Sequence, residues 1–182
     1  NTMNTYIAIL RGINVSGQKI IKMDALRQLF ENSGFSNVRT YIQSGNVLFS
    51  SEQTNTSELE QLIATQIEKE FGFQVPVLIL THLELQQIVE NNPFLNDETK
   101  NPAFLHITFL ASTPVEDAID QLTIKKAEQE AFLLTQNALY LYCPNGYGNT
   151  KLTNNFIESK LKVQATTRNW KTTLELLKMA EK

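Results

Sequence analysis

Two basic residues near the C-terminus, Lys151 and Arg168, lie at or just before the starts of predicted helices. The N-terminal end of a helix already carries the positive end of the helix dipole, so a cation there is unfavourable unless an anion compensates it. Free backbone N–H groups at such an end also bind anions. With Thr150, Thr153 and Asn169 as polar neighbours, this arrangement predicts a site for a small anionic ligand, such as a nucleotide or a phosphate metabolite.

Residues of two earlier loops are expected to join this site, in a cleft between two domains that face each other. The predicted ligand-binding residues are Arg11, Asn14, Gln43, Lys151, Thr153, Asn154, Arg168 and Asn169. The competing interpretation is that they are capping and turn residues with solvated charges, because exposed charge pairs contribute little. That interpretation needs no ligand.

Composition and charge narrow the classes of function. The chain of 182 residues has a net charge of −3, so neither nucleic acid nor an anionic membrane is expected to attract it as a whole. Residues 81–147 hold three Lys or Arg against nine Asp or Glu, whereas residues 148–182 hold seven against three. An anionic ligand is therefore expected to use the C-terminal stretch.

Three features favour a cytoplasmic protein that is not inserted in a membrane. A single cysteine cannot form an intramolecular disulfide, which fits a reducing compartment. No apolar run reaches the length of a bilayer span, and the first residues do not have the pattern of a secretory signal.

Apolar spacing predicts a regular order of strands and helices in the first half. The predicted elements are a strand at 5–11, a helix from Met23, a hairpin of 38–42 and 46–49, a helix opened by a capping box at Ser57 and Glu60, and a strand at 75–80. This β-α-β-β-α-β order is that of the split βαβ, or ferredoxin-like, plait.

The second half predicts the same order again. Its predicted elements are a helix at 82–91 with a capping box at Thr81 and Glu84, a strand at 103–110, a helix opened at 113–116, a hairpin of 132–135 and 139–142, a helix after Lys151, a strand at 163–166 and a helix containing Trp170. We therefore predict an α+β fold of two tandem ferredoxin-like plaits, 3–80 and 81–182, each an antiparallel sheet with helices on one face. The helix at 82–91 is interpreted as a connection between them.

Four segments, taken together and in this order, resemble a known family. They are Ile9–Val15, Thr40–Val47, Lys151–Asn154 and Thr166–Trp170. In combination they resemble an uncharacterised bacterial family, domain of unknown function 1697. The resemblance implies two tandem ferredoxin-like domains but no established activity and no catalytic residues. Asn149 stands where the family often carries a basic residue, which implies a weaker anion site at that loop.

Other chemistry has less support in the sequence, which has no recognisable catalytic motif. Two histidines and one cysteine do not have zinc-site spacing, so no metal is predicted, and the glycines at 12–17 do not form a nucleotide-binding motif, so no cofactor is predicted. Alternation places His106 on the sheet face away from the helices, either as a general base of an acid–base enzyme or as a hydrogen-bonded strand residue. Cys143 is interpreted as a small buried hydrophobic residue.

An RNA-binding module is the other alternative. Ferredoxin-like sheets of RNA-recognition domains stack bases on aromatic residues of an open face. Tyr6 in the first strand is the candidate residue here. The segment 45–49 lacks the basic residue and the first aromatic of the longer RNA motif, and the pI of about 5.5 also argues against this function.

Overall fold

The computed structural model describes residues 2–182, which form two compact units. The first unit contains the described residues up to Gln87 together with Glu175–Lys182, and the second contains Ile88–Leu174. Residues 2–182 include eight strands and six α-helices. The predicted division of the chain into domains at residue 80 stays a prediction.

The first unit has the strand order of a ferredoxin-like plait. Its elements are β1 (Asn4–Leu10), α1 (Met23–Asn32), β2 (Ser36–Tyr41), β3 (Asn46–Ser51), α2 (Thr56–Phe71), β4 (Val77–Thr81) and the start of α3 (His82–Glu90). The sheet order is β2-β3-β1-β4, with all neighbours antiparallel. The predicted α+β fold class is confirmed here.

The second unit repeats this order. Its elements are β5 (Leu105–Leu110), α4 (Ala118–Lys125), β6 (Ala131–Leu134), β7 (Ala138–Tyr142), α5 (Asn154–Leu161), β8 (Ala165–Asn169) and the start of α6 (Trp170–Ala180), with short 3₁₀ helices at Pro102–Phe104 and Tyr147–Asn149. The sheet order is β6-β7-β5-β8, again fully antiparallel.

One face of the first sheet packs against α1 and α2. Tyr6, Ala8 and Leu10 alternate along β1 into this core, as the two-residue period of a strand requires. Tyr6 is 2% exposed, and its ring stacks on Phe49 with centroids 5.5 Å apart. Its hydroxyl donates to the carbonyl of Gln53. The prediction that Tyr6 stacks on a base at an open sheet face is therefore wrong.

The opposite face of the first sheet is also buried. Ile7, Ile9 and Leu48 are fully buried on this side. Arg39 pairs in register with Leu48, so it shares this face, and it donates from Nη1 to the carbonyl of Met179 in α6 at 2.7 Å. The last residues of the chain thus belong to the first unit.

The second unit has an equivalent core between its sheet and the helices α4 and α5. Leu110, Leu139 and Leu141 on the sheet pack with Leu122 of α4 and Ile157 of α5. Burying each such side chain contributes about 1.5–3 kcal/mol to stability. This core fixes the two helices, and hence the loops that lead into them.

Helix starts follow the predictions only in part. Thr81 and Glu84 form the predicted capping box, since each backbone N–H bonds to the other side chain, at 2.9 and 3.0 Å. The box at Ser57 is wrong: Asn55 caps α2 by accepting from the N–H of Glu58. Glu60 instead accepts from the backbone of Ile79 in the neighbouring strand at 2.8 Å.

Two boundaries in the second unit also differ from the predictions. The helix predicted to open at 113–116 begins at Ala118, because the N–H of Val115 bonds to the carbonyl of Leu161 and holds that segment against α5. The strand predicted at 163–166 runs over Ala165–Asn169, so Arg168 is a strand residue.

Gly45 permits the close approach of the β2–β3 turn to the end of β1. A Cβ added at this position would lie 2.7 Å from Cδ1 of Ile13 and 3.0 Å from Cβ of Leu10. The φ of Gly45 is +91°, which only glycine adopts readily. The Gly45 carbonyl also accepts from the N–H of Leu10 at 2.9 Å.

We expect Gly45→Ala to lower the free energy of unfolding by about 2–4 kcal/mol, from overpacking and from the left-handed backbone. Gly12→Ala is the matched control, because Gly12 has a φ of +76° but no atom within 4 Å of an added Cβ. The control should lose only about 1 kcal/mol. Urea denaturation of the two variants measures both values, and equal losses would show that the contact with Ile13 imposes no constraint.

Candidate functional site

Asn14, a predicted ligand-binding residue, holds the β1–α1 loop in shape. Its Nδ2 donates to the carbonyls of Ile21 at 3.0 Å and Gln43 at 2.8 Å, and its Oδ1 accepts from the N–H of Ile21 at 2.9 Å. Its φ of 56° is one that asparagine tolerates better than most residues. The structure therefore brings Asn14 and Gln43 together, with the Asn14 amide engaged in the loop itself. Arg11 is half-buried at the start of this loop.

Two predicted residues of the second unit cap helices. The hydroxyl of Thr153 accepts from the N–H of Phe156 at 3.1 Å and caps α5. Oδ1 of Asn169 accepts from the N–H of Thr172 at 2.8 Å in the first turn of α6. These are the contacts that the capping interpretation of the sequence predicts, since each satisfies a backbone donor that the helix leaves open.

A third predicted residue, Asn154, ends a directed chain of hydrogen bonds. Its Nδ2 donates to the carbonyl of Ala165 and its Oδ1 accepts from the hydroxyl of Thr167, both at 2.8 Å. A hydroxyl has one proton to donate, and Thr167 donates it to Asn154. In the 2.8 Å contact between the Thr108 and Thr167 hydroxyls, Thr108 is therefore the donor. Thr108 is fully buried. The chain joins β5, β8 and the start of α5.

Arg168 lies on the other side of the same strand. Thr167 points to the helix-covered face, and successive strand residues alternate, so Arg168 points away from it. Arg168 is 8% exposed, and Nη1 donates to the carbonyl of Thr167 at 3.1 Å. Desolvation lowers the pKa of its guanidinium to about 10, so it stays charged at neutral pH.

Lys151 lies in a surface depression on the second unit. The depression has a volume of about 310 Å³ and is lined by Ile124, Lys125, Lys126, Ala127, Glu130, Asn145, Asn149 and Lys151. We name it the basic depression. It lies where the loop after α4 faces the loop after β7. Among the predicted ligand-binding residues, Lys151 is the one that lines it.

The lysines of the basic depression differ in their surroundings. Lys126 donates from Nζ to the carbonyls of Ala127 and Glu130, each at 2.9 Å, and so holds its own loop. The carboxylate of Glu130 accepts from the N–H of Ala127, also at 2.9 Å. The side chains of Lys125 and Lys151 are exposed and form neither an ion pair nor a hydrogen bond within residues 2–182. Two ammonium groups are thus available to an anion.

The predicted ligand-binding residues did not include Lys125, Asn145 or Asn149, which also line the depression. Lys125 lies in the stretch 81–147, where acidic residues outnumber basic ones. The net charge of this stretch therefore did not indicate a basic site. The adjacent pair Lys125-Lys126 at the end of a helix is the one signal in the sequence that indicates it. Asn149 is exposed, and its Nδ2 donates to the carbonyl of Asn145 in the same loop at 2.8 Å.

His106 lies on the helix-covered face of the second sheet, and the prediction that it lies on the opposite face is wrong. It pairs in register with Leu141, which belongs to the core against α4 and α5. Its ring stacks on Tyr147 with centroids 4.5 Å apart, and its Nδ1 has no hydrogen-bond partner among residues 2–182. Desolvation lowers the pKa of His106, against an opposing effect of the Phe104 backbone.

Cys143 is buried, as predicted. Desolvation, with a smaller contribution from the charge of Glu130, raises the pKa of its thiol to about 11. The thiol is therefore protonated at neutral pH and unreactive.

The described part of the chain contains neither a cluster of metal ligands nor a membrane-spanning helix. Within residues 2–182, no three His, Cys, Asp or Glu side chains come together as ligands of a metal ion. None of the helices in the same residues has both the length and the apolar character needed to cross a bilayer.

The hydrogen-bond chain predicts unequal costs for two isosteric substitutions. Thr167→Val leaves the Asn154 carbonyl oxygen and the Thr108 hydroxyl without partners, so we expect unfolding free energy to fall by about 1–3 kcal/mol. Thr108→Val leaves the bond between Thr167 and Asn154 intact and should cost less. Chemical denaturation of both variants tests this order, and a larger loss in Thr108→Val would contradict the donor assignment.

The lowered pKa of His106 predicts a pH dependence. The unfolded chain, with a histidine pKa near 6.5, binds the proton more tightly than the folded protein, so acid favours unfolding. Stability should fall as the pH drops through 6.5 and towards the lower pKa of the folded state. In His106→Gln, the part of the decrease in unfolding free energy that comes from His106 should be absent. Urea unfolding curves measured between about pH 7.5 and 5 test this. An NMR titration giving His106 a pKa at or above 6.5 would contradict this prediction.

Comparison with known proteins identifies the family. A family described as a protein of unknown function (DUF1697) matches residues 3–140. Among solved structures, the conserved bacterial protein SP0830 from Streptococcus pneumoniae aligns with a TM-score of 0.77 at 23% sequence identity, covering 98% of this chain and 99% of that chain. At this identity the likeness shows the fold alone. No curated protein matches. With most of its length matched, the chain belongs to the DUF1697 family.

Proposed function

We propose that this protein binds a small ligand that carries phosphate or a similar compact anionic group, and that the basic depression is the binding site. The observation that carries the proposal is the presence of two exposed lysines, Lys125 and Lys151, without partners on the wall of one depression. Ammonium groups bind phosphate by charge-assisted hydrogen bonds, which are about twice as strong as neutral ones.

The surroundings of the two lysines support this proposal. Lys126 and Glu130 are engaged in the loop, so their bonds hold the wall in place before a ligand arrives. The volume of about 310 Å³ lies at the small end of the range for ligand pockets. A phosphate metabolite or a mononucleotide fits this size better than a polymer does.

A cytoplasmic location is part of this proposal. Phosphate metabolites are abundant there, and the chain carries a single, buried thiol, as suits a reducing compartment. Of the other predicted residues, Asn14, Thr153, Asn154 and Asn169 bind neighbouring parts of the chain through their side chains. We therefore centre the site on Lys151.

The two alternative functions have weaker support. RNA binding through Tyr6 lacks a platform, because that ring lies in the core. An acid–base role for His106 stays a hypothesis. Its lowered pKa makes it neutral at pH 7, and Tyr147 stacks on its ring.

Calorimetric titration with inorganic pyrophosphate and with adenosine 5′-monophosphate tests the proposal. We expect at least one of them to bind and to raise the melting temperature. The double variant Lys125→Ala/Lys151→Ala should weaken binding by about tenfold or more per lysine, because a hydrogen bond to a charged group contributes about 1.5–3 kcal/mol. Binding should also weaken between low and high salt.

The matched control is Lys69→Ala/Lys171→Ala, which removes the same charge from two exposed lysines on helices. Its affinity should equal that of the wild type. Equal losses of affinity in the two double variants would mean that net charge alone determines binding, and would overturn the proposed site. Failure of both compounds to bind the wild type would overturn the phosphate proposal itself.

A further inference from the structure

The first unit carries a cluster of exposed aliphatic side chains at one end of its sheet. Val15 and Ile20 belong to the β1–α1 loop and are each 58% exposed, and Ile42 in the β2–β3 turn is 46% exposed. Asn14 binds the carbonyl of Gln43, next to Ile42, and so ties the loop to the turn. We name Val15, Ile20 and Ile42 the aliphatic tip.

The loop that carries the tip is a small, ordered hairpin. Gln18 donates from its N–H to the carbonyl of Val15 at 2.9 Å. The two residues between them, Ser16 and Gly17, have φ values of 53° and 71°, as a type I′ turn requires. Ile21 enters the core and anchors the loop. The exposed side chains are therefore held in position before any partner binds.

Ile42 is kept exposed against its own backbone preference. Its φ is 50°, a left-handed conformation in which a β-branched residue is an outlier. Glycine or asparagine would adopt it at lower cost. Strain of this kind is found at functional positions among others, and it makes the β2–β3 turn a candidate for a contact outside the chain.

The charge nearest the aliphatic tip is mainly positive. The segments 2–23, 36–51 and 72–76 contain no Asp or Glu, and the first acidic residue after the loop is the exposed Asp24 in the first turn of α1. Lys19 and Lys22 are exposed within the same loop as Val15 and Ile20, and Nζ of Lys19 also donates to the carbonyl of Gln74 at 2.8 Å. A partner for this surface must therefore accept both aliphatic groups and positive charge.

We propose that the aliphatic tip docks the protein on an anionic lipid surface. Val15, Ile20 and Ile42 enter the headgroup region, while Lys19 and Lys22 meet the lipid phosphates. A protein partner fits this surface less well, because protein interfaces are depleted in lysine and their hot spots are enriched in Trp, Tyr and Arg. Lysines beside an anionic membrane, in contrast, contribute favourably.

The hairpin suits such a surface, since a backbone that enters an apolar region must satisfy its polar groups internally. The carbonyl of Val15 is paired within the turn, and both backbone groups of Ile21 bind the Asn14 side chain. The net charge of −3 opposes attraction at a distance. At physiological salt, however, screening acts within about 8 Å, so the nearby lysines decide the contact. Binding is therefore shallow and reversible.

Cosedimentation of the full chain with vesicles tests this proposal. We expect at least tenfold stronger binding to vesicles of equal phosphatidylglycerol and phosphatidylcholine than to phosphatidylcholine alone. The triple variant Val15→Gln/Ile20→Gln/Ile42→Asn should lose about tenfold in affinity, with asparagine chosen because it tolerates the left-handed φ. Lys19→Asn/Lys22→Gln should lose a similar factor and should respond less to salt.

The control triple variant is Leu83→Gln/Ile119→Gln/Leu174→Gln, which removes three exposed aliphatic side chains elsewhere. It should bind vesicles like the wild type. An equal loss in this control, or no preference of the wild type for anionic vesicles, overturns the proposal. So does binding of a polyglutamate peptide at the tip without vesicle binding, which would indicate an acidic protein partner.

These outcomes are independent of the proposed function. None of the substitutions touches the basic depression, so pyrophosphate affinity should be unchanged in every variant. A result against lipid docking therefore leaves the ligand proposal standing, and the reverse also holds.

Discussion

The strands β1 and β5, each paired with a strand on both sides, are buried on both faces, and this constraint organises the rest of each unit. Ile7, Ala8 and Ile9 of β1 are fully buried, as are Ile107, Thr108 and Phe109 of β5. A polar group in such a strand must find an internal partner or be excluded. Polar and charged chemistry is therefore displaced to the loops at the strand ends.

Polar strand residues that remain inside show what this constraint demands. Thr108 is fully buried, and its hydroxyl begins a chain through Thr167 that ends on Asn154. Each proton in the chain has an acceptor, so burial costs little and the start of α5 is fixed to the sheet. Arg168, the next residue along β8, is buried, and desolvation lowers the pKa of its guanidinium. From the sequence, this charge is expected on the surface.

The surfaces with functional potential accordingly lie on loops that rigid elements position. The basic depression joins the loop after α4 to the loop after β7, and hydrogen bonds of Lys126 hold one wall. The aliphatic tip occupies a hairpin anchored by Asn14 and by buried Ile21. Both are preordered, so less conformational entropy is lost when a partner binds.

The sequence predicted elements better than boundaries or faces. Periodicity identified the strands and helices, since it reflects local geometry that each segment carries by itself. Capping was predicted at Thr81, where both partners are close in sequence, and failed at Ser57. There the expected partner, Glu60, binds the backbone of Ile79 in another strand. A contact between distant segments outweighed the local signal.

By itself the sequence determined the α+β class, the repeated element order, the family and the burial of Cys143, because these follow from residue type and spacing. Only the tertiary structure decided which face His106 and Tyr6 occupy. Both faces of β1 are apolar, whereas in β5 the more polar face, with His106 and Thr108, is the one that the helices cover, so alternation alone does not identify the covered face. Only folding brought Lys125 beside Lys151, because two loops far apart along the chain meet once the helices pack on the sheet.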